Sequence, residues 1–359
     1  MMKAGFSLLA MSSPELLSRR RMLVCAAASL TPAAAAPTPL RKPRALRSGD
    51  TVGVLMPSTH VPDPDRLANV RRTVEHFGLR LKLGRHVGKR TWNYAASVEE
   101  RVDDLHTMFR DPQVKAIFSI GGGYGTMQIL DHLDYDLIRA HPKIFTGYSD
   151  ITALHLAFHK LSGLVTFHSP VVLSAFTEYT QTHFRRALFE PKPMGVIRNP
   201  TESNALRPAH PWRTIRPGRA RGSLVGGNLT LISTTMGTRY EIDTRGSILF
   251  LEDVGEETYS IDRMLTQLQL AGKLRHAAGI VWGECADCGP GVYRPSAASP
   301  FTLGETIDNV LGDLNVPVLA GLTIGHTSDQ ATLPLGVTAT LDADKGELII
   351  EESATLPPQ

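Results

Sequence analysis

Cysteine is scarce, with three residues in 359, and Cys25 falls in an N-terminal segment of a different character from the rest. Only Cys285-Ala286-Asp287-Cys288 is left for the body of the chain. With no second pair and no histidine at ligand spacing, the motif argues against a zinc site. It leaves a small disulfide and two free thiols equally open. Excess charge is also lacking. The net +3 is accounted for by Lys3, Arg19, Arg20 and Arg21 against Glu15, and the remainder is balanced. No basic footprint for nucleic acid follows. Long apolar runs are missing too, since Val24 to Leu30 is too short for a permanent membrane span.

What is present is an ordinary globular composition, 42% hydrophobic and 20% charged, on a chain long enough for two domains. The N-terminus reads as a targeting segment. Ser18-Arg19-Arg20-Arg21-Met22-Leu23 has the form of a twin-arginine export signal, with an apolar stretch and then the small residues Ala33 to Ala36. Residues 1–36 are therefore expected to be a signal peptide, with cleavage near Ala35 or Ala36 and a periplasmic destination. The chain would be cytoplasmic if the signal does not function.

A Pro-rich linker is expected over 37–47. Strands are expected at Thr51 to Met56, Leu79 to Leu83, Val114 to Ile120 and Lys143 to Gly147. Helical periodicity separates them over Asp63 to Phe77, Ser97 to Arg110 and from Asp150 to Leu161, with a further helix after Gly125. Ser97 caps its helix, with Glu99 and Glu100 in the first turn. This alternation predicts an α/β domain, 48–189, with a parallel sheet and ligands at the carboxyl ends of its strands. Residues 190–217 read as a linker. A second domain, 218–353, would hold Gly226-Gly227-Asn228 before a short helix and a strand Ser247 to Leu251 ending in Glu252-Asp253. A helix Ile261 to Ala271, a strand Gly279 to Trp282, a helix Leu303 to Leu314 and two terminal strands over Thr338 to Glu351 complete it.

Gly147-Tyr148-Ser149-Asp150-Ile151-Thr152 marks a strand-to-helix turn. A serine there is either a helix N-cap or a nucleophile held out from the sheet, next to unpaired backbone N–H groups. Gly121-Gly122-Gly123-Tyr124-Gly125 follows a later strand and lacks the spacing of a dinucleotide loop. It reads as a backbone donor site for an oxyanion, or as a tight turn. Glu252 sits among four acids in six residues, either a solvated surface or a group that orients a histidine. Of the thirteen histidines, His326 stands out by place, after the apolar run Val318 to Ile324 and a glycine.

In combination these motifs resemble the LD-carboxypeptidases, serine peptidases that include murein tetrapeptide carboxypeptidase and the microcin C self-immunity peptidase. The resemblance runs from about Ser48 to Glu351. It rests on Glu99-Glu100-Arg101 with Asp104-Leu105, Gly122-Gly123-Tyr124-Gly125, the Ser149 turn, Gly226-Gly227-Asn228-Leu229, Leu251 to Glu256 with Ile261 to Leu265, and Gly325-His326. It implies a Rossmann- or flavodoxin-like nucleophile domain and a smaller, swivelling, barrel-like α/β domain carrying the other catalytic groups. By position Ser149 would be the nucleophile, His326 the general base and acid, and Glu252 its orienting partner. Backbone amides of Gly123 and Asp150 would form the oxyanion hole. Gly122, Tyr124, Tyr148, His168 and Arg263 are candidate substrate contacts, although a surface or interdomain salt bridge suits Arg263 better.

The implied reaction removes the terminal D-alanine of a murein tetrapeptide, with no metal or organic cofactor, in a homodimer. Two departures bear on specificity. Gly121 stands where many murein-cleaving members have arginine, and Phe167-His168-Ser169-Pro170 replaces the more usual His-Gly-Pro. The rival readings are a microcin-like aminoacyl-nucleotide peptidase, a non-catalytic muropeptide-binding protein and a Rossmann oxidoreductase.

Overall fold

The computed structural model describes residues 39–61, 63–202, 204, 206–289 and 301–358. The expected signal peptide lies outside the described residues. Two sheets organise the molecule. The first has six strands, in the order Leu333–Pro334, Phe167–His168, Ile144–Gly147, Val114–Ser119, Thr51–Leu55 and Arg80–Leu83. Every pair is parallel except the edge contributed by Leu333–Pro334. Near-continuous apolar strands such as Val114–Ser119 suit this arrangement, because helices cover both faces. The helix Val98–Arg110 opens with a capping box between Ser97 and Glu100 and turns Leu105, Met108 and Phe109 inward. After Gly125 the chain takes a 3-10 turn, Thr126–His132, before the short helix Tyr135–Ala140.

The second sheet has eight strands, in the order Gly195–Ile197, Glu347–Ile350, Thr338–Asp342, Arg219–Asn228, Ser247–Val254, Gly279–Ala286, Val318–Leu322 and Arg213–Arg216. Its four central strands are parallel and its flanks antiparallel. Two of the flanking strands come from 190–217, so that stretch is built into a sheet and does not run free as a linker. The segment before Thr51 is likewise tied down. Ala45 and Leu46 are buried, and their amides donate to Leu356 and Leu188.

A continuous apolar core joins the sheets. Val52, Phe118 and Phe167 of the first pack in one cluster with Leu224, Ile248 and Phe250 of the second. Burying a phenylalanine contributes about 1.5–3 kcal/mol, so the alignment of the two sheets is held by several such side chains at once. Cys285 and Cys288 are joined in a disulfide at the end of strand Gly279–Ala286. No helix among the described residues is long and apolar enough to cross a membrane.

Candidate active site

The parallel strands of the first sheet deliver three loops to one edge: Pro57 to Thr59, Gly121 to Gly125, and the Ser149 turn. Ser149 has φ 63°, in the left-handed region that non-glycine residues rarely occupy. The turn runs through a 3-10 segment, Ser149–Ile151, into the helix Thr152–Ser162. Ser149 is thus strained and half-exposed at a helix entrance, as a presented hydroxyl requires. Two buried groups hold the turn. His155 Nε2 donates to Gly147 O at 2.8 Å, and burial lowers the imidazole pKa to about 3, so it is neutral. The Asp150 carboxylate accepts from Ser58 Oγ at 2.7 Å and Thr126 N at 3.0 Å, while Thr126 Oγ1 donates to Asp150 O at 2.6 Å. Burial pushes the Asp150 carboxyl up, against those hydrogen bonds. The peptide expected to supply one oxyanion donor is therefore fixed on both sides.

The glycine run lies beside the serine. A Cβ on Gly122 would sit 3.0 Å from Ser149 Cβ, and one on Gly123, at φ 108°, would sit 2.3 Å from Thr59 Oγ1. Thr59 Oγ1 also accepts from Tyr124 N at 3.0 Å. Beneath the run, buried Arg101 donates to Pro57 O at 2.8 Å, Gly125 O at 2.9 Å and Gln128 Oε1 at 2.9 Å. A guanidinium satisfied by loop carbonyls fixes two of the loops together. Arg101 was legible as an oddity, since it falls on the apolar stripe with Leu105, Met108 and Phe109.

The second sheet supplies the histidine and its carboxylate. His326 Nδ1 lies 2.8 Å from Glu252 Oε2, and Glu252 is 0% exposed. The strand Ser247–Val254 runs through Glu252 and Asp253, so neither belongs to the solvated loop their composition suggested. Asp253 instead accepts from Asn228 Nδ2 and from Thr230 N and Oγ1 at the start of the helix Leu229–Thr234. Room for Glu252 comes from glycine. A Cβ on Gly325 would lie 2.6 Å from its Oε2, and one on Gly283 3.1 Å from its Cβ. The Tyr148 ring packs 4.6 Å from that of His326.

Ser149, His326, Tyr148 and Gly121 to Gly123 line one cleft of about 270 Å³, with Arg66, Val171, Leu173 and Ser174. Tyr124 stands half-exposed beside it, its hydroxyl accepting from Asn93 Nδ2 at 2.8 Å. Two expected substrate contacts lie elsewhere. His168 is 0% exposed, donates from Nε2 to Ile324 O at 2.7 Å and packs on Phe250. Its strand continues the first sheet beneath Leu333, so the side chain becomes a strut under the segment leading to His326. Arg263 is on the exposed face of helix Thr258–Leu270, over Tyr259 of the same helix, because Ile261, Met264 and Leu265 take the buried face. The guanidinium in the cleft is that of Arg66, from the first turn of helix Pro64–His76. No local signal marks it, since its place depends on how that helix meets two distant loops.

Comparison with known proteins agrees with this architecture. Residues 52–169 match the LD-carboxypeptidase N-terminal domain, and residues 221–341 the LD-carboxypeptidase C-terminal domain. A Bacillus subtilis protein named "Probable murein peptide carboxypeptidase" is 41% identical over 315 residues, 86% of this chain and 94% of that protein. The murein tetrapeptide carboxypeptidase of Pseudomonas aeruginosa is 32% identical over 303 residues, 82% of this chain and 94% of the relative. A solved structure of MccF in complex with glutamyl sulfamoyl guanosine superposes with a TM-score of 0.78 at 27% identity, covering 88% of this chain and 99% of the other. The chain belongs to the LD-carboxypeptidase family and is a serine carboxypeptidase.

Proposed function

We propose that the protein removes the terminal D-alanine from murein tetrapeptides through a Ser149–His326–Glu252 triad. The observation that carries the reading is the 2.8 Å contact between His326 Nδ1 and buried Glu252, with His326 and left-handed Ser149 lining one cleft. Glu252 fixes the tautomer with a proton on Nδ1 and leaves Nε2 to accept. His326 takes the Ser149 proton as Oγ attacks the carbonyl carbon before the D-alanine. Amides of Gly123 and Asp150 hold the oxyanion, each donor of this kind being worth about 3–4 kcal/mol in the transition state. The C–N bond then breaks as His326 returns the proton to the leaving nitrogen. Water, deprotonated by the same imidazole, clears the acyl-serine.

An exopeptidase must recognise a free carboxylate, and Arg66 is the guanidinium lining the cleft. Among the described residues it has no ion pair. It therefore serves in place of the arginine that Gly121 displaces. The test is mass spectrometry of a disaccharide-tetrapeptide incubated with wild type and with Ser149→Ala. Loss of one alanine with wild type alone is expected. Loss with both would move the chemistry off Ser149, and binding without loss would leave a muropeptide-binding protein.

The likeness to MccF bound to glutamyl sulfamoyl guanosine supports a second reading, hydrolysis of an aminoacyl nucleotide. Offering both substrates to the same preparation separates the two. The arginine pair at Arg19 and Arg20 supports export. A reporter fused after Pro37 is expected in the periplasm, and its retention in the cytoplasm would reject that.

A further inference from the structure

Outside the cleft lining, a second histidine stands between two carboxylates. His210 Nδ1 is 2.8 Å from Glu284 Oε1, and its Nε2 is 3.1 Å from Asp329 Oδ2. Neutral imidazole has one N–H and one lone pair, so it can satisfy only one of these oxygens and repels the other. Imidazolium donates to both. Both acids are joined to the segment that carries His326. Thr327 Oγ1 lies 2.9 Å from Glu284 Oε2 and 2.7 Å from Asp329 O. Thr177 Oγ1 donates to Asp329 Oδ1, and Gln330 N donates to Thr180 Oγ1 at 2.9 Å. A Cβ on Gly325 would lie 3.1 Å from Glu284 O as well as against Glu252. The His326 segment therefore runs between Glu252 on one side and the Glu284–His210–Asp329 cluster on the other.

The backbone around His210 is itself anchored to that segment. Asn199 Nδ2 donates to His210 O at 2.9 Å and to Gly321 O at 2.7 Å, and Asn199 Oδ1 accepts from Thr323 N at 2.9 Å. We infer that His210 is a positioning residue, which as imidazolium clamps Glu284 and Asp329 and so holds residues 325–330 with His326 aligned on Glu252. The groups facing the cluster are Glu284 from strand Gly279–Ala286, Asp329 from the His326 loop, Glu202 from its own segment and Tyr179 from helix Glu178–Phe189. Glu202 accepts from His210 N. The Tyr179 phenol is pushed up by burial and by the charges of Asp329 and Glu284. Burial opposes the charge on His210, but hydrogen bonds and charge from Glu284 and Asp329 outweigh it, and the pKa is raised above 6.5.

The inference rests on His326 acting in the reaction proposed above, so its test has one arm without substrate. In that arm, ring resonances of His210 are followed by NMR against pH and assigned by their loss in His210→Gln. A midpoint above 6.5 is expected, with backbone amide resonances of residues 325–330 moving at the same midpoint in wild type and no longer in the variant. A His210 midpoint below 6.5, or amide resonances of residues 325–330 blind to it, would overturn the clamp. In the second arm, kcat is measured against pH. His210→Gln is expected to lose about 10- to 100-fold in kcat, the scale of a small misplacement of a catalytic group, with KM within about twofold and the alkaline limb flattened.

Glu284→Gln supplies an amide donor to the lone pair of neutral His210. It is expected to keep kcat within about threefold of wild type while extending activity to higher pH. A wild-type pH profile in both variants would reject the role. If no turnover is found while the NMR arm behaves as expected, the clamp stands and the proposed reaction alone fails.

Discussion

Gly227 meets Thr152 so closely that a Cβ there would lie 2.6 Å from the threonine Cγ2 and 2.7 Å from its Oγ1. Thr152 opens the helix behind Ser149, and Gly227 is next to last in a strand of the other sheet, whose last residue donates from Asn228 N to Thr152 Oγ1 at 3.0 Å. This contact sets the helix behind Ser149 against the sheet that bears Glu252. Gly227→Ala adds a clash to a residue at φ 145°. It is expected to cost about 2–4 kcal/mol from overpacking and backbone strain together. It should also lower kcat, because any relief moves Ser149 relative to His326. Urea unfolding and steady-state kinetics check both. A variant as stable and as active as wild type would show that the close approach is incidental.

The φ of 63° at Ser149 carries its own consequence. Left-handed backbone costs an L-residue about 1–2 kcal/mol, and glycine gives back part of this as chain entropy. Ser149→Gly should therefore be more stable than Ser149→Ala by about 1 kcal/mol, while both are inactive. Thermal unfolding of the pair reads the strain without any substrate. Equal stabilities would mean that the turn relaxes in the protein.

Arg66 makes a prediction about substrate and not stability. It is exposed on its helix, so Arg66→Ala should leave the unfolding midpoint unchanged. Loss of a charge-assisted contact of about 1.5–3 kcal/mol should raise KM for a tetrapeptide acid roughly 10- to 100-fold, with kcat within a few-fold. A tetrapeptide ending in an amide should be handled equally by wild type and variant, and Arg66→Lys should recover part of the loss. An equal penalty on acid and amide would place the arginine's role elsewhere.

The parts of the fold that could be read from sequence are those written locally. Strand-loop-helix alternation, the Ser97 cap and the glycine runs depend on neighbouring residues, and the structure places them where expected. Strands Gly195–Ile197 and Arg213–Arg216 were illegible because they are short edges with hardly a buried side chain. The helix Glu178–Phe189 was hidden because Thr180 and His183 occupy its buried face, which erases the apolar stripe. Within the site, Ser149, Glu252 and His326 could be named from their motifs. His155 and His210 meet a buried carbonyl and carboxylates far away in the chain, and Arg66 lines the cleft only through the way its helix meets distant loops, and no spacing encodes those. His168 and Arg263 were misplaced for the same reason, since polarity alone does not say which face a strand or helix turns inward.

The His210 cluster also makes stability depend on pH, with a definite sign. A histidine whose folded pKa lies above its unfolded value binds more protons in the native state. The native state is then favoured most when both forms are fully protonated, and the advantage falls as pH rises. For His210 the contribution should be complete below about pH 6.5 and should fade as pH climbs through the raised folded pKa. The buried His155 works in the opposite direction. Its folded pKa is depressed to about 3 by burial, so acid between pH 6.5 and 3 destabilises the native state through that site. The two are separated by comparing wild type with His210→Gln in urea across pH 5 to 9. His155 is common to both proteins and cancels from the difference. The wild-type advantage should be largest at the acid end and shrink steadily above neutrality. A difference that grows with pH would mean that His210 is held neutral, and with it the clamp on the His326 segment would lose its physical basis.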